Sequence, residues 1–250
     1  MLENVDLAKS LPKEEYRGRL ASDRRRLFDL QKACRDAAVG SVVVFEGWDA
    51  AGKGSVINAL TRQLEPRGFR LHSVQAPRSR ERELPWLWRF WNMLPNHGEI
   101  AIFDQSWYRH VSTDRQEPWA GDAARALLDI SEFERTLSDD GYVLTKFFLH
   151  LGRGEQGKRL KQLAKDPLCA WQVDDRVWER HRHYEEQLRA TEAMLAASES
   201  GWAPWTIVEA TDHRWATIRV FEGFIGRLEA GLAARGVPLP ATMAPVPDGE

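Results

Sequence analysis

This chain has few cysteines and lacks long apolar runs. Its two cysteines, Cys34 and Cys169, lie far apart and form neither a disulfide framework nor a metal-binding spacing. No apolar stretch approaches the length that spans a bilayer, and the first residues lack the apolar core of a secretory signal. These absences predict a cytoplasmic chain without a membrane partner.

An excess of charge of one sign is also missing, because the net charge at pH 7 is only −2. Positive charge is nevertheless concentrated in two segments. Residues 62–89 contain seven arginines against three glutamates, and residues 153–182 contain eight lysines and arginines against five acids. Two interpretations remain open: solvated helix faces, or a positive groove that attracts a polyanion.

A glycine-framed loop follows the first apolar run. Gly47, Gly52 and Lys53 occupy the fixed positions of the G-x-x-x-x-G-K pattern. The backbone N–H groups of such a loop converge on an anion, and the following helix adds its positive N-terminal end. An incidental glycine-rich turn is the alternative. We predict a phosphate-binding backbone at Gly47, Ala50, Ala51, Gly52, Gly54 and Ser55.

Two aspartates are candidate ligands of Mg²⁺. Gly54 occupies the usual hydroxyl position of the pattern and Ser55 comes one place later, so Asp49 inside the loop is a candidate replacement. Alternatively, Asp49 only caps the following helix or accepts hydrogen bonds from loop amides. Asp104 follows the apolar run 100–103, as in the second nucleotide-binding motif, whose carboxylate holds Mg²⁺ directly or through water.

Apolar segments alternate with helical patterns along the chain. The predicted strands are 42–45, 69–74, 99–104, 143–150 and 205–210. The predicted helices are 56–64, 79–93, 121–138, 174–199 and 213–234. This alternation predicts an α/β three-layer sandwich with a central five-stranded parallel sheet. Because ligands bind at the carboxyl ends of such strands, Gly47 and Asp104 are expected to meet in space.

The domain organisation is predicted in three parts, the second of which contains a lid. Residues 1–40 form an N-terminal helical extension whose leucines face the body, at Leu20, Leu27 and Leu30. Residues 41–236 form the main domain, within which the basic segment 152–200 is a helical lid that excludes water. A packed helical hairpin without a gating role is the alternative for that segment. Residues 237–250, with four prolines, form a disordered tail.

Several motifs together resemble one known family. They occur in order across roughly residues 10–230, at Glu46-Gly-Trp-Asp-Ala-Ala-Gly-Lys-Gly54, Pro66-Arg-Gly-Phe69, Leu87-Trp-Arg-Phe-Trp91, Ile102-Phe-Asp-Gln-Ser-Trp-Tyr108, Asp166-Pro-Leu168, Trp171 and Ala203-Pro-Trp-Thr-Ile-Val208. This set resembles the polyphosphate kinase 2 family, and within it the polyphosphate:AMP phosphotransferase domains.

The resemblance implies a P-loop kinase-like fold with a helical lid. It also implies transfer of a phosphoryl group between inorganic polyphosphate and AMP or ADP, with Mg²⁺ as cofactor and no nucleic-acid partner. A cytoplasmic homo-oligomer is expected. Matched by position, Asp49, Lys53 and Asp104 are catalytic, and the two aspartates bind the metal. The basic positions near the phosphate path are Arg62, Arg67 and Arg89.

The chain departs from the family pattern after the second motif. Gln105 stands where the family usually has arginine, and Arg109 with His110 follows Tyr108 directly. Arg109 is therefore a candidate catalytic residue that acts from a shifted position. Two alternatives to the phosphotransferase remain: an ATP-dependent nucleoside monophosphate kinase, and a nucleotide- or polyphosphate-binding protein whose catalysis Gln105 has weakened.

Overall fold

A parallel sheet forms the centre of the protein, whose computed structural model describes residues 2–111 and 122–241. The strands in this described part are β1 (Ser41–Gly47), β2 (Phe69–Ser73), β3 (Ile100–Asp104), β4 (Val143–His150) and β5 (Trp205–Glu209). The strand order is β2-β3-β1-β4-β5, and every neighbouring pair is parallel. The predicted five-stranded parallel sheet is confirmed, and its carboxyl ends share one edge.

Helices connect the strands and cover both faces of the sheet. Their bounds are α1 (Lys13–Asp36), α2 (Lys53–Thr61), α3 (Ser79–Arg82), α4 (Trp88–Trp91), α5 (Ala123–Asp139), α6 (Arg153–Lys165), α7 (Asp175–Arg182), α8 (Tyr184–Ala197) and α9 (His213–Ala234). Single 3-10 turns occur at Leu2–Asn4, Pro66–Gly68, Trp107–His110 and Ala170–Gln172. None of the helices in the described part is both long and apolar enough to cross a membrane.

The side chains of β4 show that α5 and α9 lie on opposite faces. Lys146 points toward α5, where its ammonium contacts Glu134. The next residue, Phe147, points the other way, toward α9, where a Cβ at Gly223 would meet its ring. Because successive side chains of a strand alternate between faces, these contacts define helices, sheet and helices as three layers. The predicted sandwich is confirmed.

The N-terminal helix packs onto this body rather than standing apart from it. Leu20, Leu27 and Leu30 are buried, as predicted, and α1 lies against α9. The same hydrophobic core continues through the buried strands. Of the predicted tail, residues 242–250 lie outside the described part of the chain.

Two segments that are predicted as single helices are interrupted in the structure. The segment 79–93 contains only the four-residue helices α3 and α4, with Pro85 between them. Proline lacks an N–H group and disfavours helical backbone in the residue before it, so it divides the segment. The segment 174–199 is divided at His183, whose ψ of 25° departs from helical geometry. Asp174 begins the first part by accepting a hydrogen bond from the N–H of Val177.

Candidate active site

The loop between β1 and α2 needs glycine at two positions for different reasons. A Cβ at Gly47, where φ is +137°, would overlap the backbone of Leu149 in β4. Gly52 has a φ of +91° and begins α2 with nothing close to its Cβ position. The first glycine therefore fits the sheet, whereas the second provides the left-handed backbone of the turn. Ala50 shares that conformation, with a φ of +61°.

Lys53 is held by the loop it follows. Its ammonium donates hydrogen bonds to the carbonyl oxygens of Gly47 and Trp48, at 2.8 and 3.0 Å. The positive charge thus lies at the N-terminus of α2, where the helix dipole also favours an anion.

A cavity of about 760 Å³ opens beside this loop, and we call it the P-loop cavity. It brings together Asp49 and Asp104, the two candidate ligands of Mg²⁺. Gly47, which is predicted to meet Asp104, lies in β1 two residues after Phe45, the residue that pairs with Asp104 in the sheet. Lid helix α6 closes one side with Arg159 and Gln162. The predicted site residues that line the cavity are Asp49, Ala50, Ala51, Gly52, Lys53, Gly54, Ser55 and Asp104.

Asp49 contacts the lid instead of capping α2. The residue at the start of α2 is Gly52, and no side chain there accepts a capping hydrogen bond. The Asp49 carboxylate accepts a hydrogen bond from Nε of Arg180 in α7 at 2.7 Å. The capping alternative is therefore wrong. An ion pair joins the phosphate loop to the lid, and sequence reasoning missed it because 131 residues separate the two partners.

Helix α6 also contacts the loop. Arg159 donates to the carbonyl oxygen of Ala50 at 3.2 Å and to that of Ala210, after β5, at 2.9 Å. Gln156 donates to the carbonyl oxygen of Asp49 at 3.3 Å. The lid segment 152–200 thus covers the loop from two helices. Whether it gates the site remains a prediction.

Trp48 is fixed by a buried histidine and by the lid. Its indole N–H donates to Nδ1 of His150 at 2.8 Å, and its ring stacks on Tyr184 at 4.7 Å. Burial lowers the pKa of His150 to about 4, so the neutral imidazole accepts this hydrogen bond at pH 7. Nothing in the sequence indicates this contact beyond the aromatic residue inside the loop.

Gln105 and Arg109 form one unit at the end of β3. Gln105 has a φ of +61°, and its side-chain oxygen accepts a hydrogen bond from Arg109 at 2.8 Å. Arg109 also donates to the carbonyl oxygen of Val74 at 3.3 Å. Arg109 and Gln105 together line a smaller cavity of about 200 Å³, between the loop and α8, which also contains Gly47. The guanidinium therefore lies at the carboxyl edge of the sheet.

Buried polar groups support the turn that carries Arg109. Lys146, with a side chain 0% exposed, donates to Glu134 at 2.8 Å and to the hydroxyl of Tyr108 at 3.0 Å. Burial lowers the pKa of Lys146, and the Glu134 carboxylate opposes that shift. The carboxylate of Glu46 accepts hydrogen bonds from the N–H and hydroxyl of Ser106, both at 2.8 Å. Burial raises the pKa of Glu46.

The three arginines expected near the phosphate path lie in two different places. Arg62 follows the last turn of α2 and Arg67 lies in the turn before β2, so both are at the amino edge of the sheet. The Arg67 side chain is 90% exposed and pairs with Glu65. The structure does not bring these two residues to the P-loop cavity. Arg89, in contrast, lies near Arg109 at the carboxyl edge.

The oxygen donors of the P-loop cavity fit Mg²⁺. In residues 2–111 and 122–241, no group of three histidines, cysteines or acids forms a closed metal cage. Mg²⁺ is commonly held by one or two carboxylates together with substrate phosphates and water. Asp49, Asp104 and the hydroxyl of Ser55, which share this cavity, supply that kind of donor set.

Comparison with known proteins gives consistent matches. A sequence model of the family described as Polyphosphate kinase 2 (PPK2) matches residues 10–235. A polyphosphate:AMP phosphotransferase of Pseudomonas aeruginosa is 35% identical over 232 residues, which cover 92% of this chain and 47% of that protein. An ADP-polyphosphate phosphotransferase of Rhizobium meliloti is 33% identical over 205 residues, covering 81% of this chain and 72% of that protein.

Solved structures show the same fold. A crystal structure from Pseudomonas aeruginosa assigned to polyphosphate kinase 2 has a TM-score of 0.88 and 35% identity, covering 93% of this chain and 50% of that one. Polyphosphate kinase 2 from Arthrobacter aurescens has a TM-score of 0.86 and 25% identity, covering 96% and 88%. This chain spans about half the length of the polyphosphate:AMP phosphotransferases it matches. By its motifs, its fold and these matches, the chain belongs to the polyphosphate kinase 2 family.

Proposed function

We propose that this chain transfers a phosphoryl group between inorganic polyphosphate and AMP or ADP, with Mg²⁺ as cofactor. The observation that carries the proposal is the convergence of Lys53, Asp49 and Asp104 on the P-loop cavity. The names of relatives across the family, which specify polyphosphate with AMP, ADP or other nucleotides, support the choice of substrates.

The charge of the substrates explains why the site needs no general base. A phosphate oxygen of a nucleotide is already anionic near neutral pH, because the second phosphate pKa is about 6. The protein has to hold two polyanions in line and neutralise their charge. Lys53 and the loop N–H groups would do this at the transferring phosphate. Mg²⁺, held by Asp49 and Asp104, would supply further charge neutralisation when bound.

Arg109 is our candidate for the arginine that stabilises the transition state. Arginine clamps of this kind contribute several kcal/mol in phosphoryl transfer. The hydrogen bond from Arg109 to Gln105 holds the guanidinium at the carboxyl edge despite the missing arginine at position 105. This geometry supports an active enzyme over a binding protein that has lost catalysis.

We also propose that the protein works as a homo-oligomer in the cytoplasm. Exposed apolar side chains support the homo-oligomer: Trp88 and Trp91 on α4, and Leu128 on α5. Trp91 packs edge-on against Phe133 of α5, so the two helices share this surface. Light scattering after size exclusion would give the mass, and a monomer at micromolar concentration would contradict the proposal.

The direct test measures ATP formation from polyphosphate with AMP or ADP, beside transfer from ATP to AMP. Lys53→Ala and Asp104→Asn should each lower transfer at least about 100-fold, since they remove charge neutralisation at the reacting phosphate. Circular dichroism should show the fold unchanged. Lys32→Ala on the exposed side of α1 and Asp139→Asn at the exposed end of α5 are matched controls.

Other results of this test would indicate a different function or contradict the assigned residue roles. Turnover with ATP but not with polyphosphate would identify a nucleoside monophosphate kinase. Nucleotide binding without turnover from either donor would identify a binding protein. Full activity in Lys53→Ala or Asp104→Asn would show that the assigned roles are wrong.

A further inference from the structure

The buried ammonium of Lys146, on β4, contacts three separate elements at one point. It donates hydrogen bonds to the Glu134 carboxylate of α5 at 2.8 Å, to the Tyr108 hydroxyl at 3.0 Å and to the carbonyl oxygen of Ser198 at 2.9 Å. An ammonium has three N–H donors, and these three acceptors use all of them. Because the donors have fixed directions relative to one another, Lys146 also fixes the relative positions of the three acceptors.

Glu134 and Tyr108 close these contacts into a triangle. The Glu134 oxygen that does not face Lys146 accepts a hydrogen bond from the Tyr108 hydroxyl at 2.8 Å. The same oxygen accepts one from the indole N–H of Trp107 at 3.0 Å. The tryptophan and the tyrosine lie in the same 3-10 turn, in which Arg109 is the next residue. The buried ion pair therefore holds the turn that carries Arg109.

The third contact of Lys146 is made with the end of the lid segment. Ser198 follows α8 directly, so its carbonyl oxygen lies at the negative end of the helix dipole, where an ammonium is favourable. The Ser198 hydroxyl donates to the carbonyl oxygen of Met194 at 2.7 Å and accepts from the indole N–H of Trp205 at 2.9 Å. The end of α8 is thus attached to both β4 and β5.

Helix α8 and the turn of Arg109 share the small cavity of about 200 Å³ beside the phosphate loop. Thr191 and Met194 line it from α8, and Tyr108 and Arg109 line it from the turn. Asp49 of the phosphate loop lines it as well. The positions of α8 and of the turn therefore determine where Arg109 lies relative to the phosphate loop.

This ion pair is a poor source of stability by itself. Both side chains are almost completely buried. Taking two charges out of water costs free energy that their attraction only partly returns, so an apolar replacement of a buried pair is often neutral or stabilising. What the pair adds to an apolar core is orientation, because charged hydrogen-bonding groups bind at defined distances and angles.

We propose that Lys146 is a positioning residue for phosphoryl transfer. Through Glu134 and Tyr108 it orients the turn of Arg109, and through Ser198 it keeps α8 at a fixed distance from that turn. Lys146 is buried and acts on the reaction only through Arg109. The inference rests on the proposed function, in which Arg109 stabilises the transition state.

Two variants remove the arrangement in different ways and keep its packing. Tyr108→Phe removes the hydroxyl and keeps the ring that packs against Trp205, with ring centres 4.8 Å apart. Lys146→Met combined with Glu134→Gln, which we call the double variant, removes both charges together. No unpaired charge then stays buried, and the new amide oxygen can still accept from Trp107.

Steady-state kinetics with varied polyphosphate and AMP measures the effect on catalysis. We expect Tyr108→Phe to lower kcat about fivefold and the double variant to lower it about thirtyfold, because Arg109 acts in the transition state. Both KM values should stay within about twofold of the wild type, since the groups that bind the ground state are unchanged. An unchanged kcat in both variants would overturn the proposal.

The Arg109→Ala background provides a measurement that a merely structural role would not change. If Lys146 acts through Arg109, its removal has no further effect once that arginine is absent. In this background, Tyr108→Phe and the double variant should each change kcat less than about twofold. Equal fold losses of kcat with and without Arg109 would overturn the proposal.

Hydrogen exchange tests the geometry without turnover. In the double variant, the amides of Arg109 and Val111 in the turn and of Ser198 at the end of α8 should exchange about tenfold faster. The amides of α9 should exchange as in the wild type. Unchanged exchange in the turn and in α8 would contradict the proposal. Equal acceleration in α9 would contradict it too, since that result would mean a general loss of stability.

Two variants elsewhere in the protein are matched controls. Tyr142→Phe removes a hydroxyl that donates to the carbonyl oxygen of Pro95 at 2.8 Å, just before β4 at the amino edge of the sheet. Arg26→Met combined with Glu229→Gln removes an ion pair between α1 and α9. Both should have the kcat of the wild type and its exchange in the turn and in α8.

The two kinds of measurement separate this inference from the proposed function. The expected exchange pattern without transfer from polyphosphate by the wild type would retain the arrangement around Lys146 and reject the function. Transfer by the wild type with the same kcat in Tyr108→Phe and in the double variant would retain the function and reject the positioning role.

Discussion

Position 105 lies within hydrogen-bonding distance of position 109, so the two residues have to suit each other. The amide oxygen of Gln105 accepts a hydrogen bond from Arg109. An arginine at 105 would place a second positive group against Arg109, with Arg89 also nearby. Like charges in a partly buried site repel, because the low local dielectric screens them poorly. We therefore expect a glutamine at position 105 to suit a catalytic arginine at position 109 better than a second arginine would.

Removing the acceptor at Gln105 should affect the rate more than substrate binding. We expect Gln105→Ala to lower kcat about tenfold and change KM little, because Arg109 loses the group that orients it toward the transition state. Steady-state kinetics with varied polyphosphate and AMP would measure both parameters.

The comparison variants are Gln63→Ala, beyond the end of α2, and Gln105→Arg. The first should behave as the wild type, and the second should be no faster than the wild type. A faster Gln105→Arg variant would show that the departure from the family pattern weakens catalysis and that Arg109 does not compensate for it.

Ion pairs join α1 and α9 in addition to their apolar contacts. Arg19 pairs with Glu222, and Arg26 pairs with Glu229 at 2.6 Å. Asp23 lies among them with one buried carboxylate oxygen that has no hydrogen-bond partner in the described part of the chain. Burial, with a smaller contribution from Glu222 and against the opposing charge of Arg19, raises the pKa of Asp23 to about 6.

This shift gives the stability of the helix pair a pH dependence. The folded state binds a proton at Asp23 more tightly than the unfolded state does, so stability falls as pH rises from about 4 to about 6. Asp23→Asn removes this loss of stability at higher pH. After discounting for partial exposure, we expect it to raise the free energy of unfolding by about 1–2 kcal/mol at pH 7.5 and by almost nothing at pH 4.

Urea denaturation at the two pH values would measure the difference. Asp36→Asn, an exposed carboxylate at the end of the same helix, should change stability at neither pH. An equal gain from Asp23→Asn at pH 4 and pH 7.5 would mean that the effect is unrelated to ionisation.

Most elements of the fold could be predicted because each strand and helix carries its own local pattern. The buried strands read as apolar runs, and the face of α1 reads as leucines at helical spacing. The errors came where one residue overrides a longer pattern: Pro85 divides 79–93, and His183 ends α7. The ion pair of Lys146 could not be predicted, because its partner Glu134 lies on a different element.

At the scale of the whole molecule, the site could be predicted only as far as linear motifs reach. The P-loop and Asp104 were identifiable, since their spacing in the chain reflects the chemistry directly. The partner of Asp49 was not, because the fold alone brings Arg180 beside it. The same holds for His150, which accepts from Trp48 across the loop. Arg62 and Arg67 are the opposite case. They match basic positions of the family in sequence, but the fold does not place them at the P-loop cavity.

We predict that the ion pair between Asp49 and Arg180 makes opening of the lid depend on the charge at the phosphate loop. Both side chains are about a quarter exposed, so the pair contributes on the order of 1 kcal/mol and is partly screened by salt. We expect Arg180→Gln to raise the open population of α7 about fivefold, which hydrogen exchange of its amides and chymotrypsin cleavage near Trp178 would both report.

Arg182→Gln is the matched control, because Arg182 pairs with Glu179 within the same helix. It should exchange as the wild type does, and equal exchange in the two variants would show that the pair with Asp49 does not hold the lid. Salt should bring the wild type toward Arg180→Gln, since it screens the ion pair. Mg²⁺ proposed at Asp49 competes with Arg180 for one carboxylate. Adding Mg²⁺ should therefore speed exchange of α7 in the wild type and leave Arg180→Gln unchanged.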